Sequence, residues 1–147
     1  MNKIKLASLF FSAILLSVCS LTSVKCFADL VVIANKDLPV SSLSRDEIYR
    51  IYLGKTKFLG NGVKVIPVDQ ATGSASREKF YSTVIKKSDP EIKSYWSRVI
   101  FTGQGNPPIQ ESDDTAVKDL VAKNPNCLGY VDKSVVDNSV KVLYTVQ

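Results

Sequence analysis

The sequence predicts an α/β protein, built as a three-layer α/β/α sandwich around a mixed sheet. Short β-branched runs alternate along the chain with segments whose apolar residues recur at helical spacing. Capping signals and glycines separate these segments, and neither a repeat nor a linker divides the chain after residue 28. Strands that alternate with helices need a sheet covered on both faces, and this gives three layers.

The first 28 residues are predicted to be a signal peptide rather than part of the fold. Lys3 and Lys5 give a basic start, residues 6–18 form a continuous apolar run, and Ala28 ends a small-residue cleavage pattern. The apolar run is shorter than the ~20 residues that a membrane-spanning helix needs. One domain, residues 29–147, would follow cleavage. We therefore expect a periplasmic protein that meets a membrane only through its leader during export.

Charge and cysteine content narrow the function classes. The chain has 19 Lys and Arg and 14 Asp and Glu, and three of the lysines lie in the leader, so the mature net charge is (19 − 3) − 14 = +2. That small excess gives no argument for nucleic acid or anionic lipid as a partner. Cys127 is the single cysteine after residue 28, which excludes an internal disulfide. Its apolar surroundings predict a small buried hydrophobe.

The first two strands flank a well-marked helix. Residues 30–34 (LVVIA) are a β-branched run and predict the first strand. Ser44, with Glu47 three residues later, forms a capping box that begins the first helix. Residues 63–68 predict the second strand, and Pro67 should lie near its end because proline cannot donate to a strand ladder.

Three further helices have polar starts. Ser74 follows a glycine and opens the second helix, and Ser88 opens the third ahead of a proline that the first turn tolerates. Ser112 or Asp113 caps the fourth helix. The predicted strands are completed by residues 127–131 and residues 140–144.

The residues needed for common catalytic sites are missing. The sequence has no histidine, which removes imidazole zinc sites, Ser-His-Asp triads and Cys-His pairs. It also lacks GxSxG and the phosphate loop GxxxxGK[ST]. Asp113 and Asp114 fit helix-start charges better than a metal site. We therefore expect a protein that is not an enzyme and needs no cofactor or metal. An unrecognised enzyme, such as a hydrolase whose activity depends on one acidic residue, remains an alternative.

Residues 68–77 have the composition of an oxyanion site. They run from a strand end, through Gly73, into the helix that Ser74 opens. The first turn of a helix has unpaired N–H donors at the positive end of its dipole, and glycine lets the backbone approach a ligand. Ser74 and Ser76 add hydroxyls, and Arg77 adds a positive fork. The alternative is that Ser74 only caps the helix and Arg77 is a solvated surface residue.

An ordered set of motifs resembles the phosphate-binding proteins of ABC importers. The motifs are SRDEIYRIYLGK at 44–55, VKVIPV at 63–68, GSASREKF at 73–80, Trp96 with the loop at 101–103, and VAKNPNCLGYV at 121–131. They follow the family's order over most of residues 31–145. The resemblance implies one lobe of a type II periplasmic binding protein.

The resemblance also implies a ligand, partners and site residues. Inorganic phosphate or a similar oxyanion would be the ligand, and the membrane subunits of an ABC importer would be partners. The residues that hold phosphate in the family correspond by position to Ser74, Ala75 and Ser76. Gly73 would shape the turn, and Arg77 matches an arginine of many members.

Four departures from the family weaken the expected binding. Ala75 stands where the family has glycine, and Ser76 stands where it has threonine. Gln70 falls where some members have an anion-binding arginine; as a site residue it brings a hydrogen bond but no charge. Family members that clamp phosphate have two lobes. Because water screens an anion held on one open face, we expect the monomer to bind weakly. A homodimer that closes the cleft would bind the anion more tightly.

A second function stays open at this point. The chain would be a single-lobe scaffold or interaction module of the cell envelope, with no tight small ligand. Tyr49, Tyr52, Phe58 and Tyr81 are its candidate contacts, although core packing also suits these aromatic residues. Recovery of one stoichiometric envelope partner, without dependence on an anion, would favour this function.

Overall fold

A computed structural model describes residues 29–147, so the predicted signal peptide lies outside the described residues. The strands are β1 (Leu30–Asn35), β2 (Ile66–Gln70), β3 (Ile109–Glu111), β4 (Cys127–Asp132) and β5 (Val140–Thr145). They form one sheet in the order β3-β2-β4-β1-β5. β2 runs parallel to β3 and β4, whereas β1 runs antiparallel to β4 and β5. This mixed α/β sheet confirms the predicted fold class.

Helices cover both faces of the sheet. They are α1 (Arg45–Tyr52), α2 (Ala75–Phe80), which continues as a π-helical turn (Tyr81–Ile85), α3 (Asp89–Phe101) and α4 (Asp114–Lys123). Successive residues of a strand point to opposite faces. Val32 of β1 accordingly packs in the core beneath α1, α2 and α3, whereas Val31 and Ile33 pack in the core beneath α4.

The helix starts are those that the sequence predicts. Ser44 and Glu47 form the expected capping box, and Ser88 forms another at the start of α3. Of the two alternatives at α4, Asp113 is the cap, since its carboxylate accepts a hydrogen bond of 2.9 Å from the N–H of Ala116. Cys127 is buried at the start of β4, as expected for a small hydrophobe.

The second strand differs from its prediction. It covers Ile66–Gln70 rather than residues 63–68, and Pro67 is its second residue rather than near its end. Ile66 donates its N–H towards β4, to the carbonyl of Asn126. The nitrogen of Pro67 therefore faces the β3 side, where pairing begins only at Val68. The proline fits because no ladder bond is needed there.

β3 was not predicted from the sequence. It has three residues, follows two prolines and pairs with β2 at the edge of the sheet. Such a short strand shows neither alternation nor a β-branched run. Within residues 29–147, no helix has the length and apolar character to cross a membrane.

Candidate functional site

The predicted strand–loop–helix forms at the carboxyl end of β2. β2 ends at Gln70, a short turn follows, and Ser74 is the N-cap of α2. Gly73 has φ +89°, in the left-handed region that favours glycine, and a Cβ built there would have no atom within 4 Å. The turn is therefore open to solvent on the side of Gly73.

Several main-chain N–H groups of this turn lack partners. The N–H of Ser74 bonds to the carbonyl of Ala71 at 3.2 Å, and the N–H of Arg77 bonds to the Ser74 hydroxyl at 3.1 Å. In the part of the chain that the structure describes, the N–H groups of Gly73, Ala75 and Ser76 have no hydrogen-bond acceptor, and neither does that of Thr72 just before them. These donors lie together at the start of α2, where the helix dipole adds positive potential.

The side-chain donors of the predicted site are already used inside the protein. The hydroxyl of Ser74 donates to the side-chain oxygen of Gln70 at 3.0 Å. The hydroxyl of Ser76 donates to the carboxylate of Asp114 at 3.0 Å. The amide of Gln70 donates to Asp114 at 2.9 Å and to the carbonyl of Tyr130 at 3.1 Å. An incoming anion would have to compete with Asp114 for two of these donors.

Arg77 differs from both sequence-based expectations. It is neither an open positive fork nor a solvated surface residue, because only 5% of it is exposed. Its guanidinium forms a buried ion pair with Asp69 and a second contact, of 3.2 Å, with Asp89 at the start of α3. It also stacks 4.5 Å above the ring of Tyr81. Two carboxylates therefore offset its charge before any ligand arrives.

Asp69 is the centre of this buried network. Its carboxylate accepts hydrogen bonds from the hydroxyls of Tyr81, at 2.9 Å, and Tyr130, and from the N–H of Gln70 at 2.8 Å. Burial raises the pKa of Tyr81 and of Tyr130, and the negative charge of Asp69 raises both further. Burial alone would lower the pKa of Arg77, but Asp69, Tyr81 and Tyr130 together outweigh it, and the pKa is raised.

The geometry limits how this site can bind an anion. A carboxylate, Asp114, lies within hydrogen-bonding distance of Ser76 and so opposes a multiply charged guest. Arg77 holds the start of α2 against the end of β2 instead of pointing to the open turn. The remaining attraction comes from the unpaired neutral N–H groups of the turn and the helix dipole.

The aromatic contacts proposed for a scaffold are mostly buried. Tyr52 and Tyr81 belong to the core, and Tyr49 is half-buried, so only Phe58, 55% exposed, has a largely open face. Core packing thus explains the two buried rings. Between residues 29 and 147, no group of three or more Asp, Glu, Cys or His side chains is arranged to hold a metal ion.

Solved structures with the same fold include an ABC-type phosphate transport receptor from Vibrio cholerae, with TM-score 0.62 and 23% identity over 78% of this chain and 45% of the receptor. The chain shares the fold of these phosphate receptors. A phosphate ABC transporter substrate-binding protein from Clostridium perfringens, solved with bound phosphate, matches with TM-score 0.63 and 24% identity over 78% of this chain and 44% of that one. PstS from Borrelia burgdorferi matches with TM-score 0.60 and 14% identity, over 78% and 46%.

These comparisons confirm the expected likeness to one lobe of phosphate ABC transporter substrate-binding proteins. The chain spans less than half the length of each of these structures. Their names describe receptors and substrate-binding proteins rather than enzymes. No protein-family model matches the chain.

Proposed function

We propose that this chain is a periplasmic solute-binding protein of one lobe that holds a small oxyanion, phosphate above others, at the start of α2. The observation that carries the proposal is the set of unpaired N–H groups on Gly73, Ala75 and Ser76 beside an open turn. The fold shared with phosphate receptors supports phosphate as the first anion to test. The protein binds and does not catalyse.

The six site residues predicted from the sequence then take different roles. Gly73, Ala75 and Ser76 contribute main-chain donors, and the hydroxyls of Ser74 and Ser76 turn to the anion only by leaving their present acceptors. Gln70 and Arg77 are positioning residues. They tie the loop to β4 and to α3 through Tyr130 and Asp89, and neither contacts the anion.

Affinity should be low for the isolated chain. Each neutral hydrogen bond adds only about 0.5–1.5 kcal/mol net, water screens the open face, and Asp114 repels the guest. We expect a dissociation constant on the order of 1 mM, equivalent to about −4 kcal/mol. A cover would strengthen binding, and we propose a second copy of this chain or the membrane subunits of an ABC importer for that role.

Ala75→Pro tests the proposal directly. Ala75 is the first residue of α2, a position where proline is tolerated, and its cap Ser74 has ψ 141°, which suits the residue before a proline. The substitution therefore removes one unpaired N–H with little disturbance to the helix. Phosphate at about ten times its dissociation constant should stabilise the wild type by about 1.4 kcal/mol, seen as a rise in Tm.

The matched control is Ala75→Gly, which keeps the N–H and should keep the phosphate-dependent rise in Tm. Ala75→Pro should lose most of the rise while its Tm without phosphate stays close to that of the wild type. Sulfate and chloride at equal ionic strength separate specific binding from general salt effects. An equal rise in Tm for the Pro and Gly variants would reject the main-chain site.

A further inference from the structure

A groove lies at the amino ends of β2 and β3, opposite the candidate anion site. Its volume is about 210 Å³, and its lining includes Lys57, Lys64, Trp96, Pro107 and Ile109. We call it the lysine groove. Small-molecule sites usually have volumes of roughly 300–1,000 Å³, so this groove is better sized for one or two side chains of a peptide.

The lysine groove has positive charge without compensation. Lys57 and Lys64 are both exposed, and no acidic residue lines the groove. In residues 29–147 neither lysine takes part in an ion pair, whereas Lys118 and Lys133 both do. An occupant that carries a carboxylate would therefore complement the rim.

Trp96 gives the groove an apolar wall with one unused donor. Only 7% of this residue is exposed, and its ring lies close to Gly54, which also lines the groove. Among the described residues, its Nε1–H is the one fully buried side-chain polar atom that has no hydrogen-bond partner. A buried donor without an acceptor is costly, so an occupant that supplied an acceptor there would gain affinity.

The outer edge of β3 continues from this groove. β3 pairs only with β2, and Ile109, 47% exposed, belongs to both the strand and the groove. The carbonyl of Glu111 accepts from Ala71 on the β2 side, so the N–H and carbonyl of Gln110 point outwards. At the other edge of the sheet, by contrast, Leu43 already donates to the carbonyl of Leu143 at 3.1 Å.

We propose that the lysine groove and the outer edge of β3 bind an extended acidic segment of a partner protein. The segment adds beside β3, rests an apolar side chain against Trp96 and Ile109, and places a carboxylate beside Lys57 and Lys64. Strand addition supplies main-chain hydrogen bonds, and the groove supplies selection among side chains. Because β3 has only three residues, the contact is short and its affinity modest.

The test uses residues 29–147 and an octapeptide that alternates valine with glutamate. Control octapeptides alternate valine with lysine and glycine with glutamate. Trp96 is the sole tryptophan of the chain, so the tryptophan fluorescence comes from the wall of the groove. We expect a saturable change with the valine–glutamate peptide, below about 1 mM, and none with either control peptide.

Two variants define the contact. Lys57→Glu combined with Lys64→Glu should weaken binding about tenfold, and Gln110→Pro, which removes an outward N–H at an edge where proline is tolerated, should weaken it similarly. The matched control for charge is Lys36→Glu combined with Lys93→Glu, at exposed positions outside the groove. This control should leave the peptide affinity unchanged.

Several outcomes would overturn the proposal. They are no change in Trp96 emission up to about 1 mM peptide, equal binding of the valine–lysine peptide, or equal losses in the groove and control variants. If the protein dimerises and the groove variants prevent this, the groove binds a second copy of the chain. That result would reject binding of a segment from another protein. The Ala75→Pro protein should bind the peptide normally, which separates this result from the anion proposal.

Discussion

The positively charged side chains at the two ends of the sheet differ in burial and in pairing. At the carboxyl end of β2, Arg77 is buried and Asp69 and Asp89 offset its charge. At the amino end, Lys57 and Lys64 line a groove without a nearby acid. The residue that looked most like an anion ligand in the sequence is part of the scaffold, whereas two unremarked lysines are available to a partner. Burial and pairing, rather than residue type, separate the two roles.

The largest expected effect comes from breaking the buried ion pair. Arg77→Met leaves Asp69 buried without its cation and should lower the free energy of unfolding by about 3–5 kcal/mol in urea denaturation. The matched control is Arg50→Met, which breaks a pair with Asp46 whose side chains are 61% and 67% exposed. That control should cost no more than about 1 kcal/mol.

Asp69→Asn combined with Arg77→Met sharpens the interpretation. If Arg77→Met lowers the free energy of unfolding because Asp69 is left as an uncompensated buried charge, neutralising Asp69 should restore part of that free energy. Equal losses for Arg77→Met and Arg50→Met would contradict the claim that the two arginines differ through burial.

The packing of α4 against β4 offers a way to perturb one end of the sheet. A Cβ at Gly129 would lie 2.5 Å from Cγ1 of Val117 and 3.1 Å from Cγ2 of Val121. Gly129→Ala should therefore push α4, and with it Asp114, away from the anion site, at a cost of about 1–3 kcal/mol in unfolding free energy.

Gly60→Ala is the control for that substitution, because a Cβ at Gly60 meets no atom within 4 Å. It should change stability by less than about 0.5 kcal/mol. Trp96 fluorescence in the Gly129→Ala protein should match the wild type, since the groove is built from other elements. A Gly129→Ala protein as stable as the Gly60→Ala protein would show that α4 moves away without cost.

Alkaline pH should loosen the same end of the sheet. The pKa values of Tyr81 and Tyr130 are raised by burial and by Asp69, above the ordinary value of 10.0. Both tyrosines stay protonated in the folded state while the unfolded chain loses protons, so their stabilisation is complete below pH 10 and falls above it. Each should contribute a loss of about 1.4 kcal/mol per pH unit.

Urea denaturation between pH 9 and pH 11 measures this slope. Tyr130→Phe removes one of the tyrosines that contribute and should make the slope shallower, even though the variant is less stable at neutral pH through loss of its bond to Asp69. An unchanged slope in Tyr130→Phe would contradict the assigned direction of its pKa.

The sequence predicted local features well and distant partners poorly. The capping box at Ser44, the helix start at Ser88 and the turn at Gly73 depend on residues within a few positions, and all three formed. β3 was missed because three residues after two prolines show no pattern. The second strand began later than predicted because Val63 and Val65 bond back to Leu59 and Lys57 instead of joining the sheet.

The partners of the candidate site could not be read in the same way. Arg77 meets Asp69 from β2 and Asp89 from α3, and Ser76 meets Asp114, 38 positions away. One signal was present: Asp69 follows the apolar run of β2, and a charge buried in a strand requires a cation or several donors. That rule would have predicted a buried cation or several donors beside Asp69, with Arg77 as one candidate.

The most direct test is a titration of the mature protein with phosphate, followed through the resonances of its backbone amides. The proposed site predicts the largest saturable shifts at the N–H groups of Gly73, Ala75 and Ser76, with little change at the side-chain N–H of Arg77. The lysine groove should show none. Absence of shifts at the three amides, or larger ones at Arg77 or Lys57, would contradict a main-chain oxyanion site at the start of α2.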